Sequence, residues 1–164
     1  MEPLCYFNGE IVPVSQAAIS VYDIGILRGF GVYQAIRTYG REPFKLPEHL
    51  ASFRRSAEAM ALTPPASDES IERAIRELIA KNILEGQDAV IKIILTGGKA
   101  TDALEYDLEK PTFYIICEPL RPLPEQILHE GARVIVHEYL RPYAQNKTTN
   151  YTEAMLQQGE RKRS

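Results

Sequence analysis

Three things are scarce in this chain of 164 residues: long apolar runs, excess charge of either sign, and cysteine. No apolar stretch approaches the ~20 residues that a membrane-spanning helix needs. The net charge of −3 gives no electrostatic reason to expect nucleic acid or an anionic membrane as partner. The two cysteines, Cys5 and Cys117, each sit in an apolar, strand-like run and read as small buried hydrophobes. Neither they nor the three histidines, His49, His129 and His137, have the spacing of a metal site. Residues 1–5 lack the basic and apolar regions of a secretory leader, so the expected compartment is the cytoplasm. A Gly-x-Ser-x-Gly nucleophile elbow is absent, and Thr96-Gly-Gly-Lys99 is too short for a phosphate-binding P-loop. What remains is an ordinary globular composition, 45% hydrophobic and 25% charged, enough for one domain and part of another.

Along the chain, residues 4–14 read as a hairpin turning at Asn8-Gly9, the dipeptide best suited to left-handed dihedrals. Residues 19–22 form a short β-prone run, and 23–31 a loop with glycines at 25, 29 and 31. Alternation over 32–38 predicts a strand, a turn at 39–42 and a strand pairing back over 43–46. Pro47 then opens a helix, with Glu48 at its positive end and Leu50, Phe53, Ala57 and Met60 or Ala61 as its buried face. Thr63-Pro-Pro65 ends it. Ser67 or Asp68 caps a second helix whose stripe is Ile71, Ala74, Ile75, Leu78, Ile79 and Ile83, with Gly86 as its stop. Residues 88–95 are nearly apolar throughout and predict a central strand, and 112–117 predict another.

Three prolines between 119 and 124 mark the strongest candidate boundary. Residues 1–118 thus form a complete α+β domain, 119–130 a linker, and 131–164 the start of a second domain. That last part holds one expected strand (132–140), a loop, and one helix from about Thr149 whose basic end is Arg161-Lys-Arg163. One strand and one helix cannot bury enough surface to fold alone, so the expectation is a chain cut short within its second domain.

Between that strand and that helix lies Arg141-Pro-Tyr-Ala-Gln-Asn-Lys147-Thr-Thr-Asn-Tyr151. A lysine at such a junction is held by its backbone on both sides, which suits an amine that must meet a carbonyl carbon at fixed geometry and form a Schiff base. Taken alone, it reads first as a solvated loop lysine, and the rest of the chain decides for the sharper reading.

The order of the motifs resembles the class IV, or fold type IV, pyridoxal-phosphate aminotransferases, a family that includes branched-chain and D-amino-acid aminotransferases and aminodeoxychorismate lyases. The matching pieces are Phe7-Asn-Gly-Glu10, Ile19-Ser-Val-Tyr-Asp23, Gly29 to Arg37, Phe44-Lys-Leu-Pro-Glu-His-Leu50 with Arg55-Ser-Ala57, and Lys147-Thr-Thr-Asn-Tyr151. The resemblance implies a two-domain fold, a homodimer, and pyridoxal 5′-phosphate carried on Lys147. The same lysine would serve as the base that moves the amino acid's Cα proton. It implies transamination between an amino acid and a 2-oxo acid, with Tyr33 near the substrate. On the same strand face Arg37 would help to order the pocket, and Tyr151 would contact the cofactor from Lys147's side of the helix.

Two positions depart from the family pattern. Ser52 stands where the family has an arginine on the cofactor phosphate, and helical spacing makes Arg55 its expected substitute. Thr96-Gly-Gly98 stands where the D-amino-acid enzymes carry Thr-Arg-Gly, which favours branched-chain substrates with 2-oxoglutarate. Arg28, in the glycine loop, is an alternative cation. D-amino-acid transamination or aminodeoxychorismate lyase chemistry remain as alternatives on the same fold, and a non-catalytic fragment remains as an alternative of another class.

Overall fold

Asn8 and Gly9 take φ angles of 45° and 108°, the left-handed pair that closes a tight hairpin between β1 (Leu4–Phe7) and β2 (Glu10–Pro13). The computed structural model describes residues 2–132 and 134–161. Four further strands, β3 (Gly31–Tyr39), β4 (Glu42–Pro43), β5 (Ala89–Thr96) and β6 (Thr112–Pro119), join the hairpin in one sheet. Its order is β2-β1-β6-β5-β3-β4, and every pairing is antiparallel. β5 and β6 are the two middle strands, as the apolar run over 88–95 predicts.

Period-two alternation gives the sheet two unlike faces. On one, Val32, Ile36, Ile91, Ile93, Leu95, Phe113 and Ile115 are buried. Two helices cover them, α2 (Leu46–Ala59) and α3 (Asp68–Asn82). α2 contributes Leu50, Phe53 and Ala57, and α3 contributes Ile71, Ala74, Ile75, Leu78 and Ile79. The Ser67 side chain caps α3 by accepting from the Ser70 N–H. On the opposite face Tyr33, Lys92, Ile94, Tyr114 and Ile116 are half-buried and Arg37 is exposed. Cys5 and Cys117 are buried in their strands as free thiols, and burial pushes the Cys117 thiol up to about 12.

Several elements differ from expectation. Residues 19–22 form no strand, because the chain turns there into α1 (Ile24–Arg28), which is capped by the Asp23 side chain and closed by Gly29 in the left-handed region. The return strand after the 39–42 turn shortens to Glu42–Pro43, since Leu46 is already helical. α2 ends at Ala59, before Met60, and α3 at Asn82, before Gly86. β6 runs on to Pro119, and the expected linker holds a short helix, α4 (Glu125–Glu130).

The expected strand over 132–140 is not formed in 134–140. Among the described residues its apolar side chains Val134, Val136 and Leu140 find no covering sheet and stay exposed. The last helix, α5, spans Thr152–Arg161, so it starts three residues later than expected. Asn150 accepts the Thr152 N–H at 3.2 Å, and Thr148 and Thr149 belong to the sheet edge instead. Lys162 and Arg163 of the expected basic helix end lie outside the described residues. No helix among the described residues is long and apolar enough to cross a membrane.

Candidate active site

β3 pairs with β5 along one edge. Its other edge is free at residues 31–33, and the lysine segment fills it. The Tyr33 N–H donates to the Lys147 carbonyl and the Thr149 N–H to the Gly31 carbonyl, both at 2.9 Å, around an antiparallel bridge between Val32 and Thr148. The Lys147 N–H turns the other way and donates to Ser56 Oγ of α2 at 3.3 Å. Both backbone polar groups of the lysine are therefore fixed, while its side chain is left exposed. Strand alternation buries Thr148 and sends Lys147 to the face that carries Tyr33. Lys147 Nζ lies over the Tyr33 ring, 5.7 Å from its centre.

Gly31 permits this approach, since a Cβ there would lie 2.8 Å from the Leu95 carbonyl oxygen and 3.2 Å from Thr149 Oγ1. Thr149 Oγ1 also donates to the Gly29 carbonyl at 3.0 Å, which joins the glycine loop to the lysine segment.

Tyr151 does not reach the site along a helix, because Lys147 lies outside α5. It arrives by the turn at Asn150, meeting Tyr33 edge-on at 5.7 Å between ring centres, with the two hydroxyls hydrogen-bonded. Burial, and then the bond from Tyr151, push the Tyr33 hydroxyl up to about 12, against the opposing charge of Arg141. His49, half-buried at the start of α2, has its proton affinity lowered by burial first and then by the Lys147 charge.

Beside the lysine backbone is a cavity of about 360 Å³ between α2 and the loop before Lys147, lined by Ser52, Arg55, Ser56, Glu58, Ala59, Gln145 and Asn146. Arg54 is turned away from it, bonded to Asp68 at 2.6 Å and to the Ala66 carbonyl at 2.8 Å. Arg55 is exposed on the cavity side and makes no ion pair among the described residues. Two hydroxyls, a guanidinium and two amides are a donor set suited to an anion, with Glu58 the one opposing charge.

The structure thus brings Lys147, Tyr33 and Tyr151 together, and it sets Ser52 and Arg55 on the cavity whose wall includes Ser56, the acceptor of the Lys147 N–H. It does not do so for two other candidates. Arg37 shares the Tyr33 face, but its guanidinium stacks on Tyr39 at 4.1 Å and its Nε reaches the Thr38 carbonyl, so it has no bond to Tyr33. Arg28 is exposed on α1 and, among the described residues, donates only to the Leu27 carbonyl. Three contributors carried no role in the sequence reading. Ser56 is found only from helix geometry, as the buried hydroxyl one residue past Arg55.

The second is Arg141, which donates to the Asn146 carbonyl at 3.3 Å and lies 5.4 Å from the Tyr151 ring centre. The third is Asp23, fully buried, whose carboxylate accepts from Gly25 N–H (2.7 Å), Thr96 Oγ1 (2.8 Å) and Thr112 Oγ1 (2.6 Å). No group of three His, Cys, Asp or Glu among the described residues is placed to hold a metal ion.

Comparison with known proteins shows the family and the fold. The profile of the amino-transferase class IV family matches residues 31–164. A Methanocaldococcus jannaschii protein, provisionally named a branched-chain-amino-acid aminotransferase, is 34% identical over 131 residues, covering 79% of this chain and 44% of that protein. A D-alanine aminotransferase of Bacillus licheniformis is 31% identical over 100 residues, covering 61% of this chain and 35% of that protein. The chain therefore spans less than half the length of either relative. A crystal structure of the Escherichia coli branched-chain amino acid aminotransferase superposes with a TM-score of 0.78 at 23% identity, covering 95% of this chain and 55% of that one.

Proposed function

We propose, from the premise that this chain belongs to the class IV aminotransferases, that its protein transaminates branched-chain amino acids with 2-oxoglutarate, using pyridoxal phosphate held on Lys147. The observation that carries the reading is the lysine clamp. Both backbone polar groups of Lys147 are bonded to neighbouring elements, while its amine makes no hydrogen bond among the described residues and lies over Tyr33. A merely solvated lysine needs no such fixation.

The residues present fit the cofactor. The cavity donors Ser52, Ser56, Arg55 and Asn146 match its phosphate, and Lys147 is adjacent through Ser56. Tyr151 presents a hydroxyl and a ring edge next to the amine's face. When bound, pyridoxal phosphate supplies the electron sink for a carbanion at the amino acid's Cα. Lys147 Nζ would hold the cofactor, and as a free amine it is the group placed to take the Cα proton. Fixing the lysine backbone leaves only its side-chain torsions for that swing. Tyr33, whose hydroxyl stays protonated far above neutral pH, remains a hydrogen-bond donor at the substrate side.

The substrate choice is supported by the turn after β5. A side chain at Gly97 would collide with Ile24 Cγ2 and the Tyr106 ring, and Gly98 has a φ of +74° with its Cβ position blocked by the Lys110 carbonyl. That turn offers no room for the arginine which D-amino-acid enzymes of the family place there. We assign residues 1–118 to the pocket-wall domain, and 119–130 to a connector into a second domain opened by 131–164.

Two measurements on the full natural protein test the reading. L-leucine with 2-oxoglutarate is expected to turn over, whereas D-alanine with 2-oxoglutarate and aminodeoxychorismate are not. Preference for either of the latter overturns the substrate assignment. Cofactor affinity tests the phosphate site: Arg55→Ala is expected to weaken pyridoxal phosphate binding roughly 10- to 100-fold, the loss of one charged hydrogen bond. Arg54→Ala, with its partner in α3, should leave affinity unchanged. Equal affinities for Arg55→Ala and the parent remove Arg55 from the site.

A further inference from the structure

Arg141 touches two parts of the site at once. Its Nη2 donates to the Asn146 carbonyl, the peptide directly before Lys147, at 3.3 Å. Its guanidinium carbon stands 5.4 Å from the centre of the Tyr151 ring. Tyr151 in turn bonds Tyr33 through the hydroxyl pair, and Tyr33 lies beneath Lys147 Nζ. The segment between Arg141 and Asn146 is a short excursion, with Tyr143 held at φ 54° and the Asn146 N–H bonded back to the Tyr143 carbonyl at 2.8 Å.

We propose that Arg141 is a positioning residue, which braces the Asn146 peptide and the Tyr151 ring so that the Tyr33–Tyr151 hydroxyl pair is held beside Lys147. Both functions need this particular side chain. A planar guanidinium can stack on a ring while an edge N–H donates sideways, whereas an ammonium offers the charge without the plane. The site then closes into a circuit: Arg141 to Asn146 and so to Lys147 along the chain, and Arg141 to Tyr151 to Tyr33 and back to Lys147 through space. The Arg141 charge also faces the tyrosine pair. It favours the ionised phenolate and partly opposes the effects of burial and of Tyr151 on Tyr33. Lys147 is the other cation against that ring.

The importance of this brace rests on the reading of Lys147 as the reacting amine, but its geometry does not, and the test separates the two. The full natural protein without cofactor is labelled with 3-fluorotyrosine at position 33, which acidifies the phenol into a measurable range, and is titrated by fluorine NMR. Arg141→Met is expected to raise the Tyr33 midpoint by roughly half a pH unit or more, because a favourable charge is lost. Arg141→Lys is expected to keep the midpoint nearer the parent's while broadening the Tyr33 signal as the ring loses its brace.

With cofactor added, both variants are expected to bind pyridoxal phosphate about tenfold more weakly, with Arg141→Lys recovering little. Unmoved Tyr33 midpoints and signals in both variants would overturn the proposal, whatever the activity. Parent-like cofactor affinity alongside a shifted Tyr33 would also overturn it, by showing that the tyrosine pair is uncoupled from the lysine.

Discussion

Lys147→Ala is expected to abolish the absorbance of lysine-bound pyridoxal phosphate and to lower transamination by about 10⁴-fold or more, while leaving the folding midpoint almost unchanged. The separation of the two effects follows from how the residue is held. Everything that ties position 147 to the fold is backbone: its carbonyl accepts from Tyr33 N–H and its N–H donates to Ser56 Oγ. Alanine keeps both bonds. The side chain is exposed, and its one described contact is the loose approach of Nζ over the Tyr33 ring, so stability should change by no more than about 0.5 kcal/mol. Borohydride reduction followed by mass measurement gives the same answer without an activity assay, since the parent retains a fixed cofactor and the variant does not. A variant that still fixes cofactor, or one that loses activity by unfolding, would count against Lys147 as the anchor.

How much of this was legible in the residues depends on whether the deciding contact was local. The Asn8-Gly9 turn, the Ser67 cap, the stripes of α2 and α3 and the interior place of β5 all follow from short-range pattern, and the structure has them. Position 147 stands out in the sequence for another reason, its place among motifs in family order, and its role is the reading proposed above. Its clamp was not legible, because the partners are 114 and 91 residues away, at Tyr33 and Ser56. The strand expected over 132–140 failed in the opposite way. Its pattern is strongly apolar, but a strand exists only where another edge accepts it, and residues 134–140 have none among the described residues. Arg37 illustrates the limit of face counting. Period two correctly put it on the Tyr33 face, yet its neighbour Tyr39 on that same face captured the guanidinium. Arg54 and Arg55 are alike in sequence and are told apart only by Asp68, which holds one of them on α3.

Asp23→Ala is expected to cost about 3–5 kcal/mol, the largest loss of stability for any single side chain outside the apolar core. Asp23 looks like an unremarkable loop acid in the sequence, but it is completely buried, and its two oxygens accept from two threonine hydroxyls and a backbone N–H. Those donors belong to three places: Thr96 at the end of β5, Thr112 at the start of β6, and Gly25 in the first turn of α1. Alanine leaves the buried Thr96 and Thr112 hydroxyls and the half-buried Gly25 N–H without their acceptor, strips the cap from α1 and opens a void between two strand ends. Asn retains one acceptor oxygen and fills the space, so Asp23→Asn should cost roughly half as much. Urea unfolding measures both. The consequence should reach the candidate site, because α1 ends at Gly29, whose carbonyl accepts from Thr149 two residues past Lys147. Exchange of the Thr149 amide, which donates to the Gly31 carbonyl, is therefore expected to quicken in Asp23→Ala even under conditions where the protein stays folded. Costs below about 1 kcal/mol for the alanine variant, or unchanged exchange at the Thr149 amide, would mean that the buried carboxylate neither anchors α1 nor steadies the lysine segment.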